Sequence, residues 1–375
     1  MALYQRSFAE VRDGLMARAK EARNPMDFVA PETAAAVLDQ LGTLERERWA
    51  EAWSAAAEPH FAAGEKAEAA GDAAAARREY LAAFGLFRVA RYPAPNSPAK
   101  LKAYRRSQEA YFKAAQFSEP RVERVEMPYV GEQAPGARIV GYLHRPKRDG
   151  RIPVVVQWGG IDSFKEDRRP APYLAAEMAV LAVDMPGVGD APIAGSERGE
   201  ELWNGIFDWI AAQPGLDARR IAIVGASTGG YWAAKLAHTH RVRIAAAVDH
   251  GGPAHLAFQP DWIARASRGE YPFELAETLA CAFGRATGED WLDYAPRLSL
   301  LDQGILDRPS APLLLINGVE DSIFPIEDMH LLLRHGSAKC ARFFPGGHMG
   351  HGPDLFPTIV AWITKELSRA EGGAS

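Results

Sequence analysis

Residues 221–230 read Ile221-Ala-Ile-Val-Gly-Ala-Ser-Thr-Gly-Gly230, a short apolar run followed by a G-x-S-x-G pattern. The run predicts a buried strand, and the pattern is typical of a sharp strand-to-helix turn with a serine at its tip. Such a turn strains the backbone of Ser227, and side chains two residues before and after it would collide. Glycine at positions 225 and 229 removes that collision. Glycine and serine are common in turns, so the rest of the chain must decide whether this one carries chemistry.

The bulk composition indicates an ordinary globular protein of 375 residues, long enough for one large domain or two smaller ones. The 43 basic and 48 acidic residues give a net charge of −5. With no basic stripe, we expect no nucleic acid and no membrane as partners. No apolar run approaches the ~20 residues that span a bilayer. The first residues carry frequent charges and no apolar core, which argues against a signal peptide. We expect a cytoplasmic protein, a small-molecule substrate and, by default, a homodimer.

The two cysteines and ten histidines give no sign of a metal site or a disulfide framework. Neither Cys281 nor Cys340 lies in a C-x-x-C pattern, so we predict two buried, unbridged thiols. The histidines are scattered and form no H-E-x-x-H motif. We therefore expect no metal and no cofactor.

The first 118 residues differ from the rest because they are rich in Ala, Glu and Arg, with apolar residues at helical spacing. Between 73 and 90, aromatic residues recur on one face of a predicted helix. Ser97-Pro98 predicts the start of another helix. We interpret residues 1–118 as a helical N-terminal cap of four to five helices that covers the strand ends. A partner-binding module is the alternative.

Residues 119–375 alternate short apolar runs with helical stretches, which predicts an α/β domain with a mostly parallel, doubly wound sheet. The predicted strands are 121–130, 137–144, 152–157, 180–184, 221–224, 245–249, 313–316 and 341–344. The predicted helices are 166–178, 198–213, 228–239, 326–335 and 356–370. The interval 251–305 is too long for a simple crossover and is interpreted as a helical excursion.

Three polar residues follow three of these strands in the order Ser227, Asp321, His348. Chemistry in doubly wound sheets lies beyond the carboxyl ends of the strands, so we expect these side chains to meet there. A serine needs a base to become a nucleophile, histidine can take the proton near neutral pH, and a carboxylate orients the imidazole. Glu320 and His351 are the rivals for the acid and the base.

An oxyanion formed beside Ser227 would need two preformed backbone donors. The N–H of Thr228 is one candidate, and that of Ile161 or Gly160, in the turn after strand 152–157, is the other. Asp162, Asp249 and His250 also follow strand ends. They are candidates for contacting substrate, against a plain role as turn or interior polar groups.

Residues 121–370 resemble the α/β-hydrolases, on the G-x-S-x-G turn, the G-x-x-D-x-x-x-P turn that contains Asp321, and the Gly-Gly-His turn that contains His348. The helical N-terminus and the run Gly159-Gly160-Ile161-Asp162-Ser163 resemble a smaller group. It comprises the 2,6-dihydroxypseudooxynicotine hydrolases, the fungal polyketide-shortening hydrolases and the fermentation–respiration switch esterase-like proteins.

This resemblance implies a serine hydrolase that cleaves a carbon–carbon bond beside a ketone in an aromatic or polyketide-like substrate. The leaving group would then be a carbanion, and an additional acid such as Asp249, His250 or Asp162 would help to protonate it. A carboxylesterase on small acyl or aryl esters is the alternative. A non-catalytic regulatory protein that keeps the hydrolase fold is an alternative of another class.

Overall fold

The computed structural model describes residues 3–372, which divide into two compact units. The smaller unit holds residues 5–122 together with 272–274. The larger unit holds residues 123–271 and 275–372, with residues 3 and 4. Residues 272–274 interrupt the 251–305 excursion, so this stretch contributes to both units.

The smaller unit is helical, as the sequence predicted. Its helices are α1 (Phe8–Lys20), α2 (Pro31–Leu41), α3 (Arg46–Ala69), α4 (Ala73–Ala90) and α5 (Pro98–Ala115). Ser97 caps α5 by accepting a hydrogen bond from the backbone N–H of Lys100, which satisfies a donor that the first turn cannot use. Aromatic rings form the core, and Phe273 packs against Trp49 and Tyr92 with ring centroids 5.2 and 5.6 Å apart.

The larger unit is built on an eight-stranded sheet of order β1-β2-β4-β3-β5-β6-β7-β8. Strand β2 pairs antiparallel to β4, and the pairs from β4 through β3 to β8 are parallel. The predicted mostly parallel, doubly wound sheet is thereby confirmed. The strands are β1 (Val122–Pro128), β2 (Arg138–His144), β3 (Ile152–Trp158), β4 (Ala179–Val183), β5 (Leu216–Ala226), β6 (Ala246–His250), β7 (Leu313–Gly318) and β8 (Cys340–Phe344).

Helices pack on this sheet, and some of them lie in the 251–305 excursion. They are α6 (Ala171–Ala175), α7 (Leu202–Ala212), α8 (Thr228–Thr239), α9 (Pro260–Ala266), α10 (Leu275–Ala282), α11 (Gly288–Tyr294), α12 (Ile326–Arg334) and α13 (Leu355–Gly372). The three helices in the excursion are α9 to α11. Apolar residues of β3 to β7, such as Val155 and Val248, form one core cluster with Ile359 and Ile363 of α13. Buried apolar surface on the central strands explains why they show continuous rather than alternating hydrophobicity.

Three sequence predictions need correction. The helix predicted at 166–178 is only α6, because Pro170 and Pro172 confine the helix start, and a 3₁₀ turn (Lys165–Asp167) precedes it. Strand β5 begins at Leu216, earlier than predicted. Its first half was not recognised because charged residues within 217–220 interrupt the apolar pattern. Cys281 and Cys340 are both exposed, so their predicted burial is wrong. Among residues 3–372, no helix combines the length and apolar character needed to cross a membrane.

One buried carboxylate anchors the start of the excursion. Asp328 of α12 accepts hydrogen bonds from four consecutive backbone N–H groups, with donor–acceptor distances from 2.7 to 3.2 Å. These donors belong to residues 254–257, which lead from the end of β6 into a 3₁₀ turn (Leu256–Phe258). A buried N–H that loses its acceptor costs about 1–3 kcal/mol. The carboxylate of Asp328 therefore fixes the path of the chain as it leaves β6.

We predict that Asp328→Ala lowers the free energy of unfolding by roughly 3 kcal/mol or more, because several buried N–H groups lose their acceptor together. Urea unfolding followed by circular dichroism measures this change. The preceding residue offers a matched control, since Glu327 is exposed and Glu327→Ala should change stability by less than about 0.5 kcal/mol. Equal effects of the two substitutions would show that the anchor is unimportant.

Candidate active site

Ser227 lies between β5 and α8 with a strained backbone, at φ 55° and ψ −134°. Its N–H donates to the carbonyl of His250 at 2.8 Å, which ties the turn to the end of β6. A Cβ added at Gly225 would lie 2.1 Å from the carbonyl oxygen of Gly229. The turn is therefore as tight as the G-x-S-x-G pattern predicted, and only glycine fits at position 225. Strain of this kind persists only where surrounding structure enforces it.

The structure brings Ser227, His348 and Asp321 together in one hydrogen-bonded chain. His348 Nε2 is 2.7 Å from Ser227 Oγ, and His348 Nδ1 is 2.8 Å from Asp321 Oδ2. A carboxylate accepts only, so Nδ1 carries the proton and Nε2 is left to accept from the serine hydroxyl. Strands β5, β7 and β8 supply the three residues at their carboxyl ends, which is where parallel strands converge.

Asp321 is held ionised by its surroundings. Burial alone would raise the pKa of its carboxyl group, but the charge and hydrogen bond of His348 outweigh burial and hold this pKa below the ordinary value. Backbone N–H groups of Ile323 and Phe324 donate to its Oδ1 at 2.8 and 3.0 Å. The amide of Asn317 donates to Oδ2 at 2.9 Å. All four bonds favour the charged carboxylate.

His348 is surrounded by negative charge. Burial lowers the pKa of its imidazole, yet Asp321 first, and then Glu270 and Asp162, raise it above the ordinary value. Glu270 also holds the backbone, because its Oε1 accepts from the N–H of His348 at 2.7 Å. Asp162, a candidate for contacting substrate, is buried after β3, close enough for its charge to act on His348. The site therefore favours an imidazole that readily takes a proton.

The loop after β8 is fixed on its far side by Asn317 and His250. Asn317 Oδ1 accepts from the N–H of Met349 at 3.0 Å. His250 Nε2 is 2.9 Å from the carbonyl oxygen of Met349, and burial lowers the pKa of His250 to about 4. A neutral His250 donates through Nε2 to this carbonyl. It thereby steadies the residue next to His348.

Two backbone segments lie next to the serine hydroxyl. Thr228 is the first residue of α8, so its N–H has no acceptor within the helix. On the opposite side, a Cβ added at Gly160 would lie 2.8 Å from Cβ and 3.0 Å from Oγ of Ser227. The Gly160–Ile161 peptide thus passes directly beside the hydroxyl. Both segments predicted to supply an oxyanion hole lie next to Ser227, and the role of their N–H groups stays a prediction.

The rivals and one further candidate lie elsewhere. Glu320 and His351 are exposed, and the hydrogen bonds of Asp321 and His348 run to each other. Asp249 is fully buried, and its Oδ1 accepts from the N–H of Gly252 at 2.7 Å. Burial raises its pKa to about 7. These contacts favour an interior role for Asp249 over the pocket wall that its position after β6 suggested.

Lys165 and Glu166 belong to a buried ion cluster. The Lys165 ammonium lies 2.6 Å from Asp190, 2.8 Å from Asp184 and 3.0 Å from Glu166. Burial raises the pKa of Asp184, with Lys165 opposing the shift. The cluster links the 3₁₀ turn after the Gly159–Gly160 segment to the chain after β4. Lys165 and Glu166 therefore stabilise the fold at this place. Within residues 3–372 no group of His, Cys, Asp and Glu side chains is arranged to hold a metal ion.

Sequence reasoning missed Glu270 and Asn317. Asn317 is the penultimate residue of β7, four residues before Asp321, so its position near a strand end was an available signal. Glu270 lies in the irregular excursion, where no periodic pattern indicates which side chain turns toward β8. Its contact with His348 arises only from the tertiary fold.

Comparisons with known proteins identify the family of this chain. The model of the esterase FrsA-like family matches residues 30–345, which include Ser227 and Asp321 and end before His348. Alpha/beta hydrolase ucsC of Acremonium sp is 32% identical over 247 residues, covering 58% of this chain and 50% of the relative. Hydrolase phmG of Phaeosphaeria nodorum is 30% identical, and the match covers 69% of this chain and 62% of that relative. The chain thus spans about half to three fifths of these relatives. Esterase FrsA of Vibrio cholerae is 29% identical, covering 76% and 68%.

Two solved structures share the fold over most of their length. The 2,6-dihydroxy-pseudo-oxynicotine hydrolase superposes with a TM-score of 0.73 at 22% identity, covering 91% of this chain and 94% of that one. AbyA5 superposes with a TM-score of 0.70 at 24% identity, covering 91% and 90%. The chain therefore shares its fold with these two proteins.

We predict that the pKa of His348 lies above 6.5, its ordinary value, and that Glu270→Gln lowers it. The glutamine keeps the size and a carbonyl oxygen for the N–H of His348 but removes the negative charge. Titration of histidine resonances by NMR measures both values, with His348→Gln identifying the signal. Exposed Glu327→Gln is the matched control and should leave the titration unchanged. An unshifted titration in Glu270→Gln would contradict this electrostatic description.

Proposed function

Because the chain belongs to the esterase FrsA-like family, we propose that it is a serine hydrolase that acts at a carbonyl carbon. The observation that carries this proposal is the unbroken hydrogen-bonded chain from Ser227 through His348 to Asp321. A serine hydroxyl alone is a poor nucleophile, and this arrangement supplies the base that it lacks. No metal or cofactor is required for such chemistry.

The first half of the reaction forms an acyl-enzyme. Ser227 Oγ attacks the carbonyl carbon while its proton passes to His348 Nε2, and the carbonyl oxygen becomes an oxyanion. Asp321 stabilises the imidazolium that forms. When the tetrahedral intermediate collapses, the bond to the leaving group breaks and His348 returns the proton to that group. The acyl group then remains as an ester on Ser227.

Water completes the cycle by the same route. His348 takes a proton from the water, whose oxygen attacks the acyl carbon, and the second tetrahedral intermediate releases the acid and restores Ser227. In both halves the N–H of Thr228 and an N–H of the Gly160–Ile161 segment donate to the oxyanion. Each such donor contributes about 3–4 kcal/mol to transition-state stabilisation.

For the bond that is cleaved, we favour the carbon–carbon bond beside a ketone in an aromatic or polyketide-like substrate. The leaving group in that reaction is a carbanion, which must be delocalised by a second carbonyl or protonated as it departs. Glu270 and Asp162 support this proposal because their charges stabilise the imidazolium that would deliver the proton. The resemblance of the sequence to the 2,6-dihydroxypseudooxynicotine hydrolases and the fungal polyketide-shortening hydrolases favours this substrate class.

A carboxylesterase is the second candidate, and the name of the family supports it. Ester hydrolysis releases an alkoxide or phenoxide, which needs less assistance than a carbanion. The same Ser227–His348 geometry serves both reactions, so the choice depends on the substrate.

We predict that a fluorophosphonate probe labels the wild-type protein and that Ser227→Ala abolishes the labelling, because the probe captures only an activated serine. In-gel fluorescence followed by peptide mass spectrometry locates the adduct. Asp321→Asn, which keeps size but orients the imidazole wrongly, should slow labelling by about 10⁴-fold. Ser368→Ala, which removes an exposed serine of α13, is the control and should label like the wild type. An unlabelled wild type would instead support a regulatory protein without catalysis.

We predict that the pure protein hydrolyses an aryl 1,3-diketone to a carboxylic acid and a methyl ketone. Product formation by liquid chromatography measures the rate, with p-nitrophenyl acetate tested in parallel. Loss of both activities in Ser227→Ala ties them to one site. Rapid turnover of the ester with none of the diketone would overturn the carbon–carbon assignment and leave the carboxylesterase.

A further inference from the structure

The segment 159–164, named here the glycine loop, bears directly on the serine turn. Trp158, which precedes it, donates through Nε1 to the carbonyl of Gly229 at 2.8 Å. A Cβ added at Gly159 would lie 2.0 Å from the carbonyl oxygen of Ser163, so the loop folds back tightly on itself. Any slackening of this loop would move the Gly160–Ile161 peptide away from Ser227.

Arg168 holds the two ends of the glycine loop together by hydrogen bonds. Its Nη1 donates to the carbonyl of Trp158 at 3.4 Å and its Nε to the carbonyl of Phe164 at 3.3 Å. A third nitrogen, Nη2, donates to the hydroxyl of Ser163. One rigid guanidinium thus binds the residue before the loop, its last residue and a side chain between them. The same Nη2 would lie 2.9 Å from a Cβ at Gly159.

The shape of guanidinium matters for this arrangement. Its five donors lie in one plane in a fixed fork, whereas the ammonium of lysine is a single point on a flexible stem. A lysine at this position keeps the positive charge but cannot bridge both ends of the loop. Charge and geometry can therefore be separated by substitution.

The positive charge of Arg168 also acts on His250 at the end of β6. The pKa of His250, whose carbonyl accepts from the N–H of Ser227, is lowered mainly by burial, with further contributions from His348 and Arg168.

We propose that Arg168 is a positioning residue that holds the glycine loop so that its backbone N–H donates to the oxyanion. This role rests on the proposed serine hydrolase activity. Arg168 acts through the loop and does not itself contact the reacting atoms. Its loss therefore weakens binding of the transition state and leaves binding of the substrate nearly unchanged.

The test compares Arg168→Lys, Arg168→Gln and Arg168→Ala with the wild type on p-nitrophenyl acetate. We expect kcat to fall by about 100-fold in the glutamine and alanine variants, the loss expected for one oxyanion donor, with KM changed by less than about twofold. Affinity for an aryl trifluoromethyl ketone, which forms an oxyanion on the serine, should fall in parallel with kcat. The lysine variant should resemble the glutamine variant, because it lacks the fork.

Two further measurements separate positioning from general stability. Millimolar guanidinium should restore kcat in Arg168→Ala at least severalfold, and Arg169→Ala, at an exposed neighbouring position, should match the wild type with no response to guanidinium. The proposal is overturned if KM rises while kcat is unchanged, or if kcat falls without loss of trifluoromethyl ketone affinity or without rescue. An inactive wild type would refute the proposed function itself, whereas an active wild type equalled by all three variants would refute only the role of Arg168.

Discussion

The close approach of three backbone segments around Ser227 is the constraint on which the rest of the site depends. The turn between β5 and α8 leaves no room for a side chain at Gly225, and the segment after β3 leaves none at Gly160. Both segments are therefore pressed against each other and against the end of β6, where the carbonyl of His250 receives the N–H of Ser227. The strain at Ser227 is maintained because the neighbouring strands of a closely packed sheet cannot yield.

Electrostatic interactions add a second constraint, because they set the protonation states of the histidines in the site. Around His348 the carboxylates raise the pKa of the imidazole, while burial keeps His250 neutral beside it. Two adjacent histidines thus have opposite tasks, one to accept a proton and one to hold a carbonyl. Arg168 binds the loop whose Gly160 backbone passes beside Ser227.

Much of this could be predicted from the sequence because it depends on local patterns. Continuous apolar runs indicated the parallel strands, and the glycine positions around Ser227 indicated the tight turn. The positions of Asp321 and His348 after neighbouring strands followed from the order of these runs, although their catalytic roles stay a prediction. The contact of Glu270 with His348 could not be predicted, since it depends on the path of an irregular excursion. The same holds for Arg168, whose fork is understood only once the loop around it is folded.

The most direct test of the central claim is rapid-quench peptide mass spectrometry during turnover of p-nitrophenyl acetate. If Ser227 is the nucleophile, acetyl groups should accumulate within the first turnover on the peptide that contains residue 227. His348→Gln should acquire them far more slowly. Release of p-nitrophenol with no acetylated peptide, or with the acetyl group on a different residue, would contradict the account.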